Sequence, residues 1–197
     1  MPATGFVVAR DGRQHDAVTV DEAAGRLVVF CGLPGVGKSS LSRRVADRLG
    51  ATYLRIDTIE AAIVSTLMPF HGNPVGYVVA GRVAADQLRA GRSVVADAVN
   101  GVTDAHRGWL SVARECRVPI GFVVVTCSDS AEHRRRVESR TAEMPGQGIP
   151  TWQQVLNRKW DPLLHNHLVV DNLGDIDTHV TAVLEWLARP DHGSPDP

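Results

Sequence analysis

The sequence of 197 residues lacks the features that mark membrane, secreted and metal-cluster proteins. Its apolar runs are no longer than about six residues, whereas a membrane-spanning helix needs roughly 20. The first residues contain no basic region followed by an apolar run, so we expect no signal peptide. The cysteines Cys31, Cys116 and Cys127 have no metal-ligand spacing. We therefore expect reduced, mostly buried thiols in a cytoplasmic protein.

The sequence also has little net charge. It contains 21 Lys and Arg residues against 22 Asp and Glu, which gives a formal charge of −1 and a pI near 6.7. No overall basic field therefore favours nucleic acid or an anionic membrane as a partner. A hydrophobic content of 44% and a charged content of 22% are typical of a globular domain with a single buried core.

Short apolar runs alternate with longer amphipathic segments along the chain. Continuous apolar runs are typical of strands that are buried on both faces, and a repeated strand–helix order favours the α/β class. Strands are predicted at Leu27–Cys31, Thr52–Ile56, Ser93–Ala96, Ile120–Cys127 and Leu168–Val170. Helices are predicted near Ser39–Leu49, Thr58–Leu67, Val75–Ala90, Asp104–Cys116, Ser130–Arg140, Trp152–Trp160 and Asp177–Ala188.

Neither a repeat nor a low-complexity linker interrupts this pattern, so we predict one domain over residues 26–189. Residues 1–25 are polar, with Asp11-Gly12 as a turn signal between short apolar runs, and we interpret them as an N-terminal extension. The tail, residues 190–197, is too polar and too rich in proline to pack, and we expect it to be disordered.

One glycine-rich segment carries the strongest chemical signal. Gly32-Leu33-Pro34-Gly35-Val36-Gly37-Lys38-Ser39 satisfies every fixed position of the phosphate-loop (Walker A) pattern G-x-x-x-x-G-K-[ST]. Its glycines let the backbone aim successive N–H groups at one point, which makes an anion-binding nest at a helix N-terminus. We expect the segment from Gly32 to Ser40 to bind a nucleoside triphosphate. Lys38, exposed until then, would reach the β- and γ-phosphates, and Ser39 would ligate Mg²⁺.

Two other classes of phosphate-loop protein have signatures that the sequence lacks. A GTPase needs Asn-Lys-x-Asp after a strand, and the nearest letters, Asn157-Arg158-Lys159-Trp160-Asp161, have the wrong spacing. A motor or AAA-type ATPase would show a strand that ends in Asp-Glu, with the Glu activating water. The matching strand here ends in Val94-Val95-Ala96-Asp97-Ala98, without that Glu. The sequence therefore favours phosphate transfer to an acceptor over ATP hydrolysis.

Further segments make the region from Arg26 to Arg189 resemble the small P-loop kinases, a family with gluconate and shikimate kinases, chloramphenicol phosphotransferase, zeta toxins and phage polynucleotide kinases. Arg55-Ile56-Asp57 ends the second strand, where this family places an acidic residue that faces the acceptor hydroxyl. Asp97-Ala98-Val99-Asn100 is similar to the family's Asp-(Ala/Thr)-x-Asn run. The segment from Cys127 to Arg140 resembles its arginine-bearing lid helix, and Val170-Asp171-Asn172 resembles its turn beside the adenine.

The resemblance implies a three-layer α/β/α fold with a five-stranded parallel sheet of order 2-3-1-4-5 and an arginine-bearing lid. The site would lie at the carboxyl ends of the strands. It also implies an ATP- and Mg²⁺-dependent kinase that transfers the γ-phosphoryl group to a hydroxyl of a small molecule, such as a sugar, a nucleoside or an antibiotic.

The acidic candidates have distinct expected roles. Asp57 is expected to be the catalytic base or to orient the acceptor, because phosphoryl transfer needs a carboxylate that accepts the hydroxyl proton. An aspartate at this position is also common as a helix cap. Asp97 is expected to bind Mg²⁺ or the acceptor. Asn100 and Arg107 are expected to contact the acceptor, and His71 is a weaker candidate in the same region.

The arginines of the predicted lid helix are candidates for the triphosphate. Arg136 and Arg140 are four residues apart and so share a helix face, and the guanidinium fork matches phosphate oxygens. They are expected to bind the nucleotide and to stabilise charge in the transition state. The loop Glu143–Pro150 is expected to close over the site, with Asp171 contacting the nucleotide on the adenine side.

Two other functions remain open. One is a polynucleotide 5′-hydroxyl kinase, a branch that carries an arginine three residues after the catalytic aspartate to hold the acceptor's phosphate. This chain has Glu60 there, which would repel a phosphate. The other is an ATP-binding regulatory protein without turnover. We expect a small-molecule partner and neither nucleic acid nor a membrane, and we make no prediction of the oligomeric state.

Overall fold

The computed structural model describes residues 25–67 and 74–189. His71, nearly all of the N-terminal extension and the tail lie outside these residues. No helix in the described part is long and apolar enough to cross a membrane. The strands are β1 (Leu27–Cys31), β2 (Thr52–Arg55), β3 (Val94–Asp97), β4 (Ile120–Thr126) and β5 (His167–Asp171). The helices are α1 (Lys38–Leu49), α2 (Ile56–Leu67), α3 (Val75–Arg89), α4 (Thr103–Cys116), α5 (Ser130–Glu138), α6 (Trp152–Leu156) and α7 (Ile176–Leu187).

The five strands form one parallel sheet in the order β2-β3-β1-β4-β5. The predicted α/β fold and its 2-3-1-4-5 order are therefore confirmed. Parallel neighbours need crossover connections, which the intervening helices supply on both faces of the sheet. The carboxyl ends of the strands consequently meet at one edge, where the loops that carry the predicted site residues begin.

Alternate side chains of β1 enter two separate apolar cores. Leu27, Val29 and Cys31 pack with residues of α3 and α4, and Val28 and Phe30 pack with residues of α1 and α7. All five are fully buried, and burial of each larger side chain contributes about 2 kcal/mol. The continuous apolar run of β1 thus places its carboxyl end at the centre of the functional edge.

The sixth predicted helix is shorter than the sequence pattern indicates. It was expected to continue to Trp160 but ends at Leu156. The segment after it is used differently, because the Asp161 carboxylate accepts hydrogen bonds from the backbone N–H of Thr103 (2.9 Å) and from its hydroxyl (3.1 Å). Residues 157–161 therefore do not continue α6 and instead bring Asp161 to the first residue of α4, where its carboxylate acts as a cap.

Asn100 links β1 to α4 below the phosphate loop. Its Nδ2 donates to the carbonyl oxygen of Phe30 (2.7 Å), and its Oδ1 accepts from Nε1 of Trp109 (2.9 Å). The side chain is completely buried. The backbone has φ = 47°, a conformation that asparagine adopts more readily than most residues. Asn100 therefore holds the end of β1 against the helix layer.

We expect Asn100→Ala to lower the free energy of unfolding by about 2–4 kcal/mol, because it leaves two buried groups unsatisfied. Urea denaturation measures this loss. Asn157→Ala, at an exposed position, is the control and should change the free energy by less than about 0.5 kcal/mol. A loss below about 1 kcal/mol for Asn100→Ala would show that the Asn100 bonds are not a structural link.

Candidate active site

The phosphate loop connects the end of β1 to the start of α1. Gly37, the N-cap of α1, has φ = 85°, in the left-handed region that favours glycine. A Cβ atom at this residue would collide with the side chain of Asn172. The Asn172 amide in turn donates to the carbonyl oxygen of Val36 (2.9 Å). The loop is thus closely packed against the end of β5, which explains the glycine at this position of the motif.

The N-terminus of α1 is available to an anion. The N-cap, Gly37, has no side chain that could cap this helix, and the first turn contains no acidic residue. The first N–H groups of a helix have no acceptor within the helix, and the helix dipole favours negative charge there. The loop and helix together therefore provide the anion site that the motif predicts.

A cavity of about 1060 Å³ opens in front of the phosphate loop. Residues of the loop and of α1 line one side, and α2 with the loop before α6 lines the other. The cavity brings together most of the residues predicted from the sequence: Leu33, Pro34, Gly35, Gly37, Lys38, Ser39, Ser40, Asp57, Arg136 and Arg140. Gly32 and Val36 are buried and do not line the cavity.

Lys38 is buried, contrary to the expectation that it is exposed before nucleotide binds. Its Nζ lies 3.3 Å from Oδ1 of Asp97, and the two side chains are 9% and 1% exposed. Burial raises the pKa of Asp97, but the charge of Lys38 and the nearby hydroxyls of Ser39 and Tyr53 lower it, and the net result is a pKa below the ordinary value. A buried ion pair therefore joins the phosphate loop to the end of β3.

Asp57 lies in the first turn of α2 and lines the cavity. Two residues before it, Arg55 ends β2 with its side chain only 7% exposed. Arg55 Nη1 donates to Oε2 of Glu143 (2.6 Å), and its Nη2 lies 4.0 Å from Oδ2 of Asp57. The hydrogen bond from Arg55 lowers the pKa of Glu143. Arg55 thus connects the predicted lid loop to the residue expected to meet the acceptor.

Arg55 is a cavity residue that was not predicted from the sequence, although its position at the end of a strand is a local signal. An arginine at the end of a buried strand needs a carboxylate partner, and Asp57 follows two residues later. The partner that the structure supplies is Glu143, 88 residues away along the chain, and no local pattern indicates that pairing.

Glu60 and Arg158 line the same side of the cavity as Asp57. Burial and the nearby charge of Asp57 raise the pKa of Glu60, and the charge of Arg158 opposes this rise. Each arginine on this side, Arg55 or Arg158, is therefore accompanied by a carboxylate. Sequence reasoning identified Glu60 but not Arg158.

The two lid arginines line the cavity, but only one belongs to a helix. Helix α5 ends at Glu138, so Arg140 follows it and the predicted helix over Ser130–Arg140 is too long. Arg136 donates from Nε to Oε1 of Glu132 (2.7 Å) and from Nη1 to the carbonyl oxygen of Asn172 (3.0 Å). Arg136 is thus held between its own helix and the end of β5, beside the phosphate loop.

Besides Gly32, Val36 and the buried Asp97, three predicted residues do not line the cavity. The side chain of Asn100 is used in the fold contacts described above. Arg107 is 76% exposed on α4 and lies 4.0 Å from Asp104. Asp171 accepts hydrogen bonds from the backbone N–H (2.9 Å) and the hydroxyl (2.5 Å) of Ser128. Its carboxylate therefore joins the loop after β4 to the end of β5.

The oxygens of Ser39 and Asp97 fit a Mg²⁺ site. Oδ1 of Asp97 is buried and has no hydrogen-bond partner among the described residues, and Ser39 is close enough to affect the Asp97 carboxylate. Within residues 25–67 and 74–189, no group of three or more His, Cys, Asp or Glu side chains could hold a metal by itself. Mg²⁺ commonly needs only one or two protein oxygens, with water and phosphate oxygens completing its coordination.

We expect Lys38→Ala to lower the free energy of unfolding without nucleotide by about 3 kcal/mol, because it leaves the Asp97 carboxylate buried without its cation. Urea denaturation measures the loss, and combining Lys38→Met with Asp97→Asn should recover most of it. Lys159→Ala, which removes a 75% exposed lysine paired with Asp161, is the control and should cost less than about 1 kcal/mol. Wild-type stability of Lys38→Ala would mean that the ion pair is not a structural contact.

The chain is similar in structure to several known proteins. A gluconokinase from Sinorhizobium meliloti 1021 has a TM-score of 0.59 and 20% identity, covering 85% of this chain and 93% of that one. The Mycobacterium tuberculosis APS kinase CysC, in complex with AMPPNP and APS, has a TM-score of 0.62 and 19% identity, covering 84% and 99%. Chaetomium thermophilum Kti12, in complex with ADP-AlF3, has a TM-score of 0.63 and 15% identity, covering 83% and 100%. Identities this low show a common fold.

A family model described as an AAA domain matches residues 27–158, about two thirds of the chain. No curated protein matches the sequence. The family description contains the name of an ATPase class that the sequence disfavours. An ATPase of that class would have a water-activating glutamate directly after Asp97 at the end of β3. This chain has Ala98 at that position. The kinases among the structural neighbours confirm the resemblance to small P-loop kinases. The chain therefore belongs to the AAA domain family of P-loop proteins.

Proposed function

We propose that the protein is an ATP- and Mg²⁺-dependent kinase that transfers the γ-phosphoryl group to a hydroxyl of a small molecule. The observation that carries the proposal is that the phosphate loop and Asp57 line the same cavity. Its volume of about 1060 Å³ is at the upper end of the range for small-molecule sites, which suits a nucleotide together with an acceptor. All three cysteines are free thiols, compatible with the cytoplasmic location that we also propose.

In the proposed reaction, the acceptor hydroxyl oxygen attacks the γ-phosphorus and forms the new P–O bond. The bond from the γ-phosphorus to the β–γ bridging oxygen breaks, ADP leaves, and Asp57 accepts the hydroxyl proton. Lys38 and the N-terminus of α1 hold the β- and γ-phosphates. Ser39 and Asp97 would hold Mg²⁺, which would neutralise phosphate charge when bound.

Arg136 and Arg140 complete the positive side of the cavity in this proposal. Charge spreads over the equatorial oxygens of the transferred group in the transition state, where a guanidinium is most effective. The loop of Glu143 would close over the nucleotide to exclude water. The Arg55–Glu143 contact supports this role, since it already joins the loop to the acceptor side.

The charges on the acceptor side favour an uncharged alcohol. Arg55 is paired with Glu143, and Glu60 lies close enough to Arg158 for their charges to interact. A phosphorylated polymer end would have to compete with these carboxylates for each arginine and would approach Asp57 as well. This arrangement disfavours a polynucleotide kinase and supports a small neutral acceptor. The kinases among the structural neighbours, a gluconokinase and an APS kinase, are named for small-molecule substrates.

A nucleotide-binding regulatory protein is the second candidate, favoured by the similarity to Kti12, which binds ADP-AlF3. Binding alone does not require a carboxylate in front of the phosphate loop, and Asp57 therefore favours transfer. The two candidates differ in ATP consumption. A kinase consumes ATP in proportion to a suitable acceptor, and a regulatory protein does not respond to any acceptor.

We expect a screen of pooled hydroxylated metabolites and antibiotics, read by mass, to find phosphate on a small neutral alcohol. The KM of that acceptor should be nearly flat between low and physiological salt, because no phosphate backbone is neutralised on binding. A single-stranded oligonucleotide is the comparison substrate. Steeply salt-dependent oligonucleotide binding, or 5′-end labelling faster than transfer to every small acceptor, would replace the proposal with a polynucleotide kinase.

We expect Asp57→Asn to reduce phosphate transfer by at least about 100-fold, the usual contribution of a positioned base. The affinity for ATP–Mg²⁺ should stay within a few-fold of wild type, because Asp57 contacts the acceptor. Steady-state kinetics and calorimetry measure the two effects separately. Asp104→Asn is the matched control, since Asp104 also lies in the first turn of a helix but does not line this cavity. An equal collapse of nucleotide affinity would assign Asp57 to the nucleotide or metal site.

A further inference from the structure

The hydroxyl of Tyr53 contacts the carboxylate at the base of the phosphate loop. Tyr53 lies in β2, which pairs with β3 so that Tyr53 is opposite Val95. Its hydroxyl reaches two residues further along β3 and donates to Oδ2 of Asp97 at 2.6 Å. The aromatic ring packs at the edge of the core formed with α1. Tyr53 thus approaches Asp97 from the neighbouring strand.

The two oxygens of Asp97 have different surroundings. Oδ2 accepts the hydrogen bond from Tyr53. Oδ1 has no hydrogen-bond partner in the described part of the chain, and the Lys38 ammonium lies 3.3 Å from it. The χ2 torsion of an aspartate has a broad, roughly two-fold preference, so the two carboxylate oxygens can exchange positions. A contact with another residue is needed to fix which oxygen faces the phosphate loop. The bond from Tyr53 holds Oδ2 in place, and the Lys38 ammonium beside Oδ1 favours the same orientation.

We propose that Tyr53 is a positioning residue for Mg²⁺. By holding Oδ2 of Asp97, its hydroxyl leaves Oδ1 directed toward Lys38 and Ser39, where the metal of a bound nucleotide is expected. Tyr53 does not touch the nucleotide in this role and acts only through Asp97. The inference rests on the proposed function in one respect, that a Mg²⁺-nucleotide binds at the phosphate loop.

The surroundings of Tyr53 suit a fixed hydrogen-bond donor. The guanidinium of Arg43 lies 5.4 Å from the centre of its ring, a cation–π contact that restrains the ring. Burial raises the pKa of the hydroxyl, and the charge of Asp97 raises it further. The ring of Tyr53 and its hydroxyl are therefore both restrained by neighbouring charged groups.

Tyr77 is a natural control. It also has a largely buried hydroxyl with an elevated pKa, raised first by burial. That hydroxyl accepts a hydrogen bond from the backbone N–H of Asn100 (3.4 Å) and lies on the acceptor side of the cavity. Removing it makes the same chemical change as at Tyr53 without affecting an Asp97 oxygen.

The test compares binding of AMPPNP to the wild type, Tyr53→Phe and Tyr77→Phe by calorimetry, over a series of Mg²⁺ concentrations and in EDTA. Mg²⁺ should increase the affinity for AMPPNP until the metal site is saturated. For Tyr53→Phe, we expect the Mg²⁺ concentration that gives half of this increase to rise about tenfold, the typical effect of losing a contact to a metal ligand. Its affinity in EDTA should stay within twofold of wild type. Tyr77→Phe should keep the wild-type Mg²⁺ requirement.

Two outcomes would overturn the inference. An unchanged Mg²⁺ requirement in Tyr53→Phe would make the hydrogen bond purely structural, and an equal loss of affinity in EDTA would mean that Tyr53 shapes the phosphate loop instead. A melting curve shows whether Tyr53→Phe folds. If it does not, we compare Asp97→Asn with the double variant Asp97→Asn/Tyr53→Phe. Neither variant contains the buried carboxylate, so neither leaves a buried charge without its partner. Equal Mg²⁺ requirements in that pair support the inference, and unequal ones overturn it.

The proposed function and this inference can fail separately. Absence of AMPPNP binding in the wild type, or binding without transfer to any acceptor, would contradict the proposed function. A wild type that binds and transfers, together with a Tyr53→Phe variant of unchanged Mg²⁺ requirement, would contradict only the role of Tyr53.

Discussion

The complete burial of β1 is the constraint on which the rest of the structure depends. Its five side chains enter two cores on opposite faces of the sheet, so the strand needs a neighbour on each edge and helices on each face. A parallel sheet with crossover helices satisfies both requirements. The chain therefore leaves β1 at the centre of one edge of the sheet, where the phosphate loop and α1 begin.

Charge divides the cavity into two chemically different halves. On the phosphate side, the N-terminus of α1 faces the cavity together with Arg140 and with Arg136, which is paired with Glu132. On the acceptor side, Arg55 and Arg158 are each accompanied by a carboxylate. The N-terminus of α1 therefore favours an anion on the phosphate side, and the carboxylates of Asp57, Glu60 and Glu143 disfavour one on the other side. This division suits an enzyme that holds a triphosphate and a hydroxyl side by side.

Buried polar contacts fix the geometry of the phosphate side. Lys38 pairs with Asp97, Tyr53 donates to Asp97, and Asn172 joins the loop to β5. Each contact links elements that are distant in the sequence but adjacent at the carboxyl edge of the sheet. Buried charges are stable only with such partners, so the loop is preorganised before a ligand arrives.

The sequence by itself determined the phosphate loop, the α/β class and the strand limits to within one or two residues, because glycine spacing and apolar runs are local signals. The resemblance to small P-loop kinases supplied the strand order. Only the tertiary structure decided that Lys38 is buried, that Asn100 is a fold contact, and that Arg55 pairs with Glu143. These contacts join residues far apart in the chain, and their partners depend on how strands and loops meet in space, which no local pattern encodes.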